Sequence, residues 1–154
     1  MKRQRLSGKE VKELNEQLFK DYALTDFLNK TDNVELVEGK FILVNSELHF
    51  FYSENILVPS LKLILKTNFL KTITIDMPAV KFIANGADVM RPGIKELDDF
   101  QKAEIVAIVD QNNRKPLAIG QALFSTQEIK AMDKGKAIKN LHHVGDDFWN
   151  NILK

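Results

Sequence analysis

The hydrophobic period changes near residue 34, and that change limits the folds open to this chain more than any other feature. Before it, Val11, Leu14 and Leu18 recur at helical spacing. Ser7 and Glu10 make the S-x-x-E capping box that starts such a helix. A second short helical piece is expected from Tyr22 to Leu28. After the change, VELV, FILV and LHFFY read as short strands, with Glu38-Gly39 and Asn45-Ser46 as the turns between them. Pro59 suits the first turn of a further helix, PSLKLILK, with Leu61, Ile64 and Leu65 on one side. The first half therefore reads as helix, small antiparallel sheet, helix.

The second half alternates short strands with short helices. TITID is a β-branched strand. Pro78 opens the helix PAVKFIAN and Gly86 closes it, because glycine takes the left-handed conformation that ends helices. ADVM, EIVAIVD and PLAIGQAL read as strands, the last two joined by the polar turn QNNRK. Ser125 and Glu128 form a second capping box, opening TQEIKAMD. KAIKNLHHV reads as extended, and DDFWNNIL as a terminal helix behind Gly145. This pattern predicts a barrel-like unit. The chain is thus α+β, with a small α+β domain over residues 1–71 and a β pseudobarrel with short helices over 72–154. No Gly/Ser-rich or Pro-rich linker marks the boundary.

Composition narrows the chemistry. The chain has 154 residues and a net charge of +1. Residues 1–71 hold 11 Lys/Arg against 10 Asp/Glu, and the remainder 11 against 11, so neither half is a basic domain. Nucleic-acid binding must then come from a local patch of Lys, Arg and backbone N–H groups. The absence of cysteine excludes disulfides, thiolate metal sites and cysteine nucleophiles, and fits a cytoplasmic protein. No apolar run approaches the roughly 20 residues of a membrane span. The basic start, MKRQRLSGKE, leads into a charged helix rather than an apolar core, which argues against a secretory signal.

The stretch AVKFIANGADVMRPGI holds the most informative candidates. At about 100° per residue, Ala79, Val80, Phe82 and Ile83 share one side of the helix, and Lys81 and Asn85 the other. Lys81 and Asn85 would face solvent beside the glycine turn, with Arg91 close by if ADVM runs back along the helix. Spacing alone also fits an ordinary solvated helix face. KGKAIKNLHH carries three lysines and no acid. In a regular strand Lys136 and Lys139 point to opposite faces, so a bulge or curved edge is needed to bring them together. Asp88 interrupts the basic surface. Of Lys62, Lys66 and Lys71, the first two lie four apart on the polar side of PSLKLILK, which fits either a positive strip extending toward Lys81 or an ordinary solvated face.

Other residues read as structural. His142 and His143 are adjacent, so as strand residues they cannot easily share a metal ion, and one of them is expected half-buried beside Trp149. Asp146-Asp147 follow a glycine as a helix cap does. Ser125 is a cap rather than a nucleophile, and Gly86, Gly93 and Gly120 are too scattered for a phosphate loop.

ITIDMPAVKFIANGADVMRPGI, followed by EIVAIVD, PLAIGQAL and GKAIKNLHHVGDDFW, resembles the PUA domain, named for pseudouridine synthases and archaeosine transglycosylases. LVEGKFILV and ILVPSLKLILK resemble the domain preceding PUA in a narrower group. That group includes the malignant-T-cell-amplified-sequence protein and the N-terminal part of ligatin. The resemblance implies an RNA-binding protein rather than an enzyme, with no cofactor or metal. It implies that tRNA or the small ribosomal subunit is engaged in translation initiation or recycling, beside a partner resembling density-regulated protein. The RNA-facing positions it implies are Lys81, Asn85, Gly86, Ala87, Arg91, Lys136, Lys139 and Asn140. The competing readings are a protein-interaction adaptor and an accessory subunit delivering RNA to a modification or translation complex.

Overall fold

Three left-handed turns set the register of the first sheet. In the computed structural model, which describes residues 2–150, Glu38 and Gly39, Asn45 and Ser46, and Glu54 and Asn55 all have positive φ. Paired positive φ values give turns whose twist matches that of the flanking strands. The elements of this unit are β1 (Arg3–Arg5), α1 (Gly8–Tyr22), β2 (Val34–Val37), β3 (Phe41–Val44), β4 (Glu47–Ser53) and β5 (Ile56–Pro59). The sheet is antiparallel throughout, in the order β1-β2-β3-β4-β5. The Ser7–Glu10 capping box is formed, and Leu14 and Leu18 are buried.

Three features of this unit depart from the sequence reading. Residues 23–28 do not form a helix: Ala23 turns left-handed at φ 58° and ends α1. The loop beyond it is held by Asn15, whose side chain bonds both the N–H and the carbonyl of Leu28 at 2.9 Å. Pro59 closes β5 instead of opening a helix; Ser60 supplies the cap. The polar segment Arg3–Arg5 is an edge strand, pinned by an Arg3–Glu35 ion pair at 2.9 Å.

By its packing the chain divides into two units between Pro59 and Ser60. The helix α2 (Leu61–Lys66) packs on a strand of the second unit, β10 (Pro116–Ala122). That second unit also holds β6 (Lys71–Ile75), α3 (Met77–Ala84), β7 (Val89–Met90), a 3-10 turn (Arg91–Gly93), β8 (Ile94–Leu97), β9 (Ile105–Asp110), α4 (Thr126–Ala131) and β11 (Lys136–His143). Its sheet runs β7-β11-β10-β9-β6-β8, with β6 and β9 parallel and the other pairs antiparallel. β7 and β8 occupy opposite edges of this sheet, yet only the 3-10 turn separates them in sequence. The sheet must therefore curl until its edges nearly meet, which makes it a pseudobarrel. Ile73, Ile75, Ile83, Val106, Ile108, Ile129 and Ile138 fill its core. β8 fell in a stretch to which the sequence reading assigned no strand.

Two close approaches shape the barrel. A Cβ on Gly120 would lie 2.5 Å from Ile138 Cγ2 and 2.9 Å from the Lys139 carbonyl, so β10 and β11 meet this closely only at a glycine. At the chain end, Asp146 accepts the Trp149 N–H at 2.8 Å, as a cap does, and residues 147–150 form turns. The rest of the expected terminal helix lies outside the described residues.

Candidate nucleic-acid interface

The site begins with the cap of α3. Asp76 accepts the Ala79 N–H at 2.9 Å, and Pro78 sits in the first turn, where its missing N–H costs nothing. Ile83 is buried, with Ala79 and Val80 packed at its sides. Phe82, grouped with them by spacing, is 57% exposed. The arc explains this: Ile83 lies at about 40° and Val80 at about 100°, leaving Phe82 at about −60°, beyond the edge of the buried face. Lys81 is exposed, its Nζ 5.3 Å from the centre of the Phe82 ring.

The helix ends in peptide groups that are already used. Asn85, Gly86 and Ala87 donate their N–H groups to the carbonyls of Phe82, Ile83 and Phe82, at 3.2, 3.0 and 3.0 Å. These peptide groups are not free donors for a ligand, although Asn85, Gly86 and Ala87 are among the RNA-facing positions that the resemblance implies. Gly86 has φ +96°, and a Cβ there would come 3.0 Å from His143 Nε2. Its backbone favours glycine, and a Cβ would fit only if the His143 ring gave way by a few tenths of an ångström. Asn140 then ties the corner to β11: its Nδ2 donates to the carbonyls of Ile83 and Ala87 at 3.1 and 3.0 Å. Its own N–H donates to Asp88 Oδ1 at 2.9 Å. Gly86 and Asn140 thus build the corner, while Asn85 and Ala87 lie exposed upon it.

The lysines of β11 answer the question of faces. The register of β11 against β7 shifts between Lys136 and Ile138, a β-bulge. Ala137 and Ile138 are both buried in consequence, and Lys136 and Lys139 are both exposed. Lys136 Nζ lies 3.3 Å from Asp88 Oδ2. Asp88, which looked like an isolated repulsive charge, is thus partly neutralised. Arg91 departs furthest from expectation. It is half-buried, with Nε donating to the Ile129 carbonyl at 2.7 Å and its N–H to the Gly135 carbonyl at 2.8 Å. It ties the 3-10 turn to α4 and the segment behind it. Beside these residues runs a groove of about 560 Å³, lined by Pro78, Phe82, Asp88, Met90, Pro92 and Lys136 among others. Phe82 and the 45% exposed Met90 were missed from sequence, although Met90 follows buried Val89 in a strand and alternation turns it outward.

The PUA domain model matches residues 71–144, and a second model, a domain of unknown function termed DUF1947, matches residues 2–67. Translation machinery-associated protein 20 of Saccharomyces cerevisiae is 34% identical, over 89% of this chain and 85% of its own. This chain belongs to the PUA-domain proteins that carry a DUF1947 region. The uncharacterized protein MJ1432 of Methanocaldococcus jannaschii is 43% identical over 97% of this chain and 96% of its own. Malignant T-cell-amplified sequence 1 of Rattus norvegicus is 30% identical over 91% and 85%. Among solved structures, the hypothetical protein PH0734.1 of Pyrococcus horikoshii superposes with a TM-score of 0.81 at 32% identity, covering 97% of this chain and 98% of that one.

Elsewhere in the PUA unit, the remaining candidates are structural. His142 is 1% exposed, with Nδ1 2.8 Å from Asp146 Oδ2 and its ring edge-on to Phe148 at 5.6 Å. The buried member of the pair sits against Phe148, and His143 packs on Gly86. Burial pushes the Asp146 carboxyl up, but hydrogen bonds from His142 and from the Trp149 and His143 N–H groups outweigh it and hold the group below its ordinary range. Of the lysines at and after α2, Lys62 lies over the Trp149 ring at 5.1 Å, and Lys71 pairs with Glu104 at 3.4 Å. No helix among the described residues is long and apolar enough to cross a membrane.

Proposed function

We propose that this PUA protein binds RNA in the service of translation, gripping tRNA or the small ribosomal subunit at the corner where α3 meets β11. The observation that carries this reading is the bulge of β11. It turns Lys136 and Lys139 outward together, next to the helix end that presents Lys81. Exposed lysines on two elements that Asn140 bonds together suit a phosphate backbone, since each ammonium is a mobile point charge on a flexible stem. The name of the yeast relative, translation machinery-associated, gives the biological setting. In this reading the protein is non-catalytic and cytoplasmic, and a translation factor resembling density-regulated protein is its partner.

The contacts are Lys81, Lys136 and Lys139, with Asn85 and Ala87 lining the approach. Gly86, Asn140 and Arg91 shape the corner rather than touch RNA. Crosslinking in cells tests the reading: tRNA or small-subunit ribosomal RNA should be recovered, and Lys81→Glu with Lys139→Glu should abolish recovery without unfolding the protein. Recovery of neither RNA, or recovery unchanged by the double reversal, would refute it. Capture of a protein partner that survives nuclease treatment checks the factor.

A further inference from the structure

We propose that Asp88 is an internal competitor for RNA phosphate, holding Lys136 in the free protein and limiting how tightly this corner takes polyanions. The inference rests on the RNA reading above and adds regulation of affinity to it. Among the described residues, Lys136 is the one of the three corner lysines with a carboxylate partner.

The geometry fixes one partner and frees the other. Asp88 Oδ1 accepts the Asn140 N–H at 2.9 Å, so the carboxylate is anchored to the β11 backbone. Its side chain is 28% exposed, whereas that of Lys136 is 64% exposed. The lysine can therefore swing to a phosphate, while the aspartate stays behind. Two consequences follow. A phosphate reaching Lys136 must displace Asp88, and Asp88 then remains nearby as a negative charge, within the ~8 Å over which charges act at physiological salt. An abandoned Asp88 also recruits a cation, offsetting the counterion that the phosphate releases. The Lys136 contact thus adds little to the salt dependence of binding.

Asp88→Asn separates charge from scaffold. The asparagine carbonyl still accepts the Asn140 N–H, but Lys136 loses its competitor. Anisotropy titrations of labelled bulk tRNA across a range of salt should show the variant binding about two- to fivefold tighter at low salt, the range expected for an exposed ion pair. Its log–log salt slope should steepen by about 0.7 to 0.9, one extra counterion. In a Lys136→Ala background, Asp88→Asn should give a clearly smaller gain in affinity, the part due to repulsion alone, and no steeper slope. Asp88→Ala, which also removes the acceptor, should lower the melting temperature where Asp88→Asn does not. Equal affinity and slope for wild type and Asp88→Asn overturn the inference while leaving the RNA reading intact. A gain of undiminished size without Lys136 also overturns it, since the effect would then be general repulsion alone. Absence of tRNA binding by every variant overturns both readings.

Discussion

In the first unit, β2 to β5 are joined in series by loops of two or three residues, and every strand in that series pairs with the one before it. In the second unit, β7 and β8 are consecutive strands yet occupy opposite edges, and β6 pairs in parallel with β9 across four intervening elements. One sheet is dictated by its turns, the other by contacts distant in sequence. The local sheet should therefore tolerate change wherever turn geometry survives. The closed sheet should fail wherever one close approach is blocked.

Blocking the closest approach should give the largest effect. Gly120→Val drives a side chain into Ile138 and the Lys139 backbone, and should cost roughly 3 kcal/mol or more in denaturant unfolding. A cost under about 1 kcal/mol would show that the closed sheet adjusts as freely as the hairpins. Next is Arg91→Ala, which frees the Ile129 carbonyl and should lose about 2 kcal/mol, since the lost bond comes from a charged donor. If it instead weakens RNA binding with stability unchanged, Arg91 belongs to the interface and not to the scaffold.

Asp146→Asn removes the charge from a carboxylate that gathers His142, His143 and Trp149, and should cost roughly 1 to 2 kcal/mol at neutral pH. The sign with pH follows from its depressed folded value. Its contribution is full above the ordinary carboxylate range near 3.9 and drains away as pH falls through the lower folded value. Wild type and variant should therefore converge in thermal melts in strong acid. Gly39→Ala, in the first unit, meets nothing within 4 Å and bears only the strain of φ +63°, so about 1 kcal/mol is expected. Lys81→Glu with Lys139→Glu should change stability least, by about 0.5 kcal/mol or less.

The same contrast decides what could be read in advance. The Glu38-Gly39 and Asn45-Ser46 turns, both capping boxes and the Pro78–Gly86 helix were legible because each is encoded within a few residues. β1 was not, since RQR carries no apolar pattern and becomes a strand only by pairing with β2. β5 was hidden by Pro59, which suits the first turn of a helix as well as an edge strand such as this one. At the candidate site, exposure of Lys81 was legible from helical phase. The outward turn of both Lys136 and Lys139 was not, because a bulge depends on the neighbouring strand. Arg91 looked like a ligand-facing cation because sequence cannot display the Ile129 carbonyl, 38 residues away, that binds it.

The three-residue turn between β7 and β8 has a consequence for how this unit meets other molecules. Its two edge strands are short, two residues on one side and four on the other. Short edge strands of this kind discourage pairing with an incoming extended chain. Visitors must be gripped by side-chain heads, and those can be retuned one charge at a time with the framework untouched.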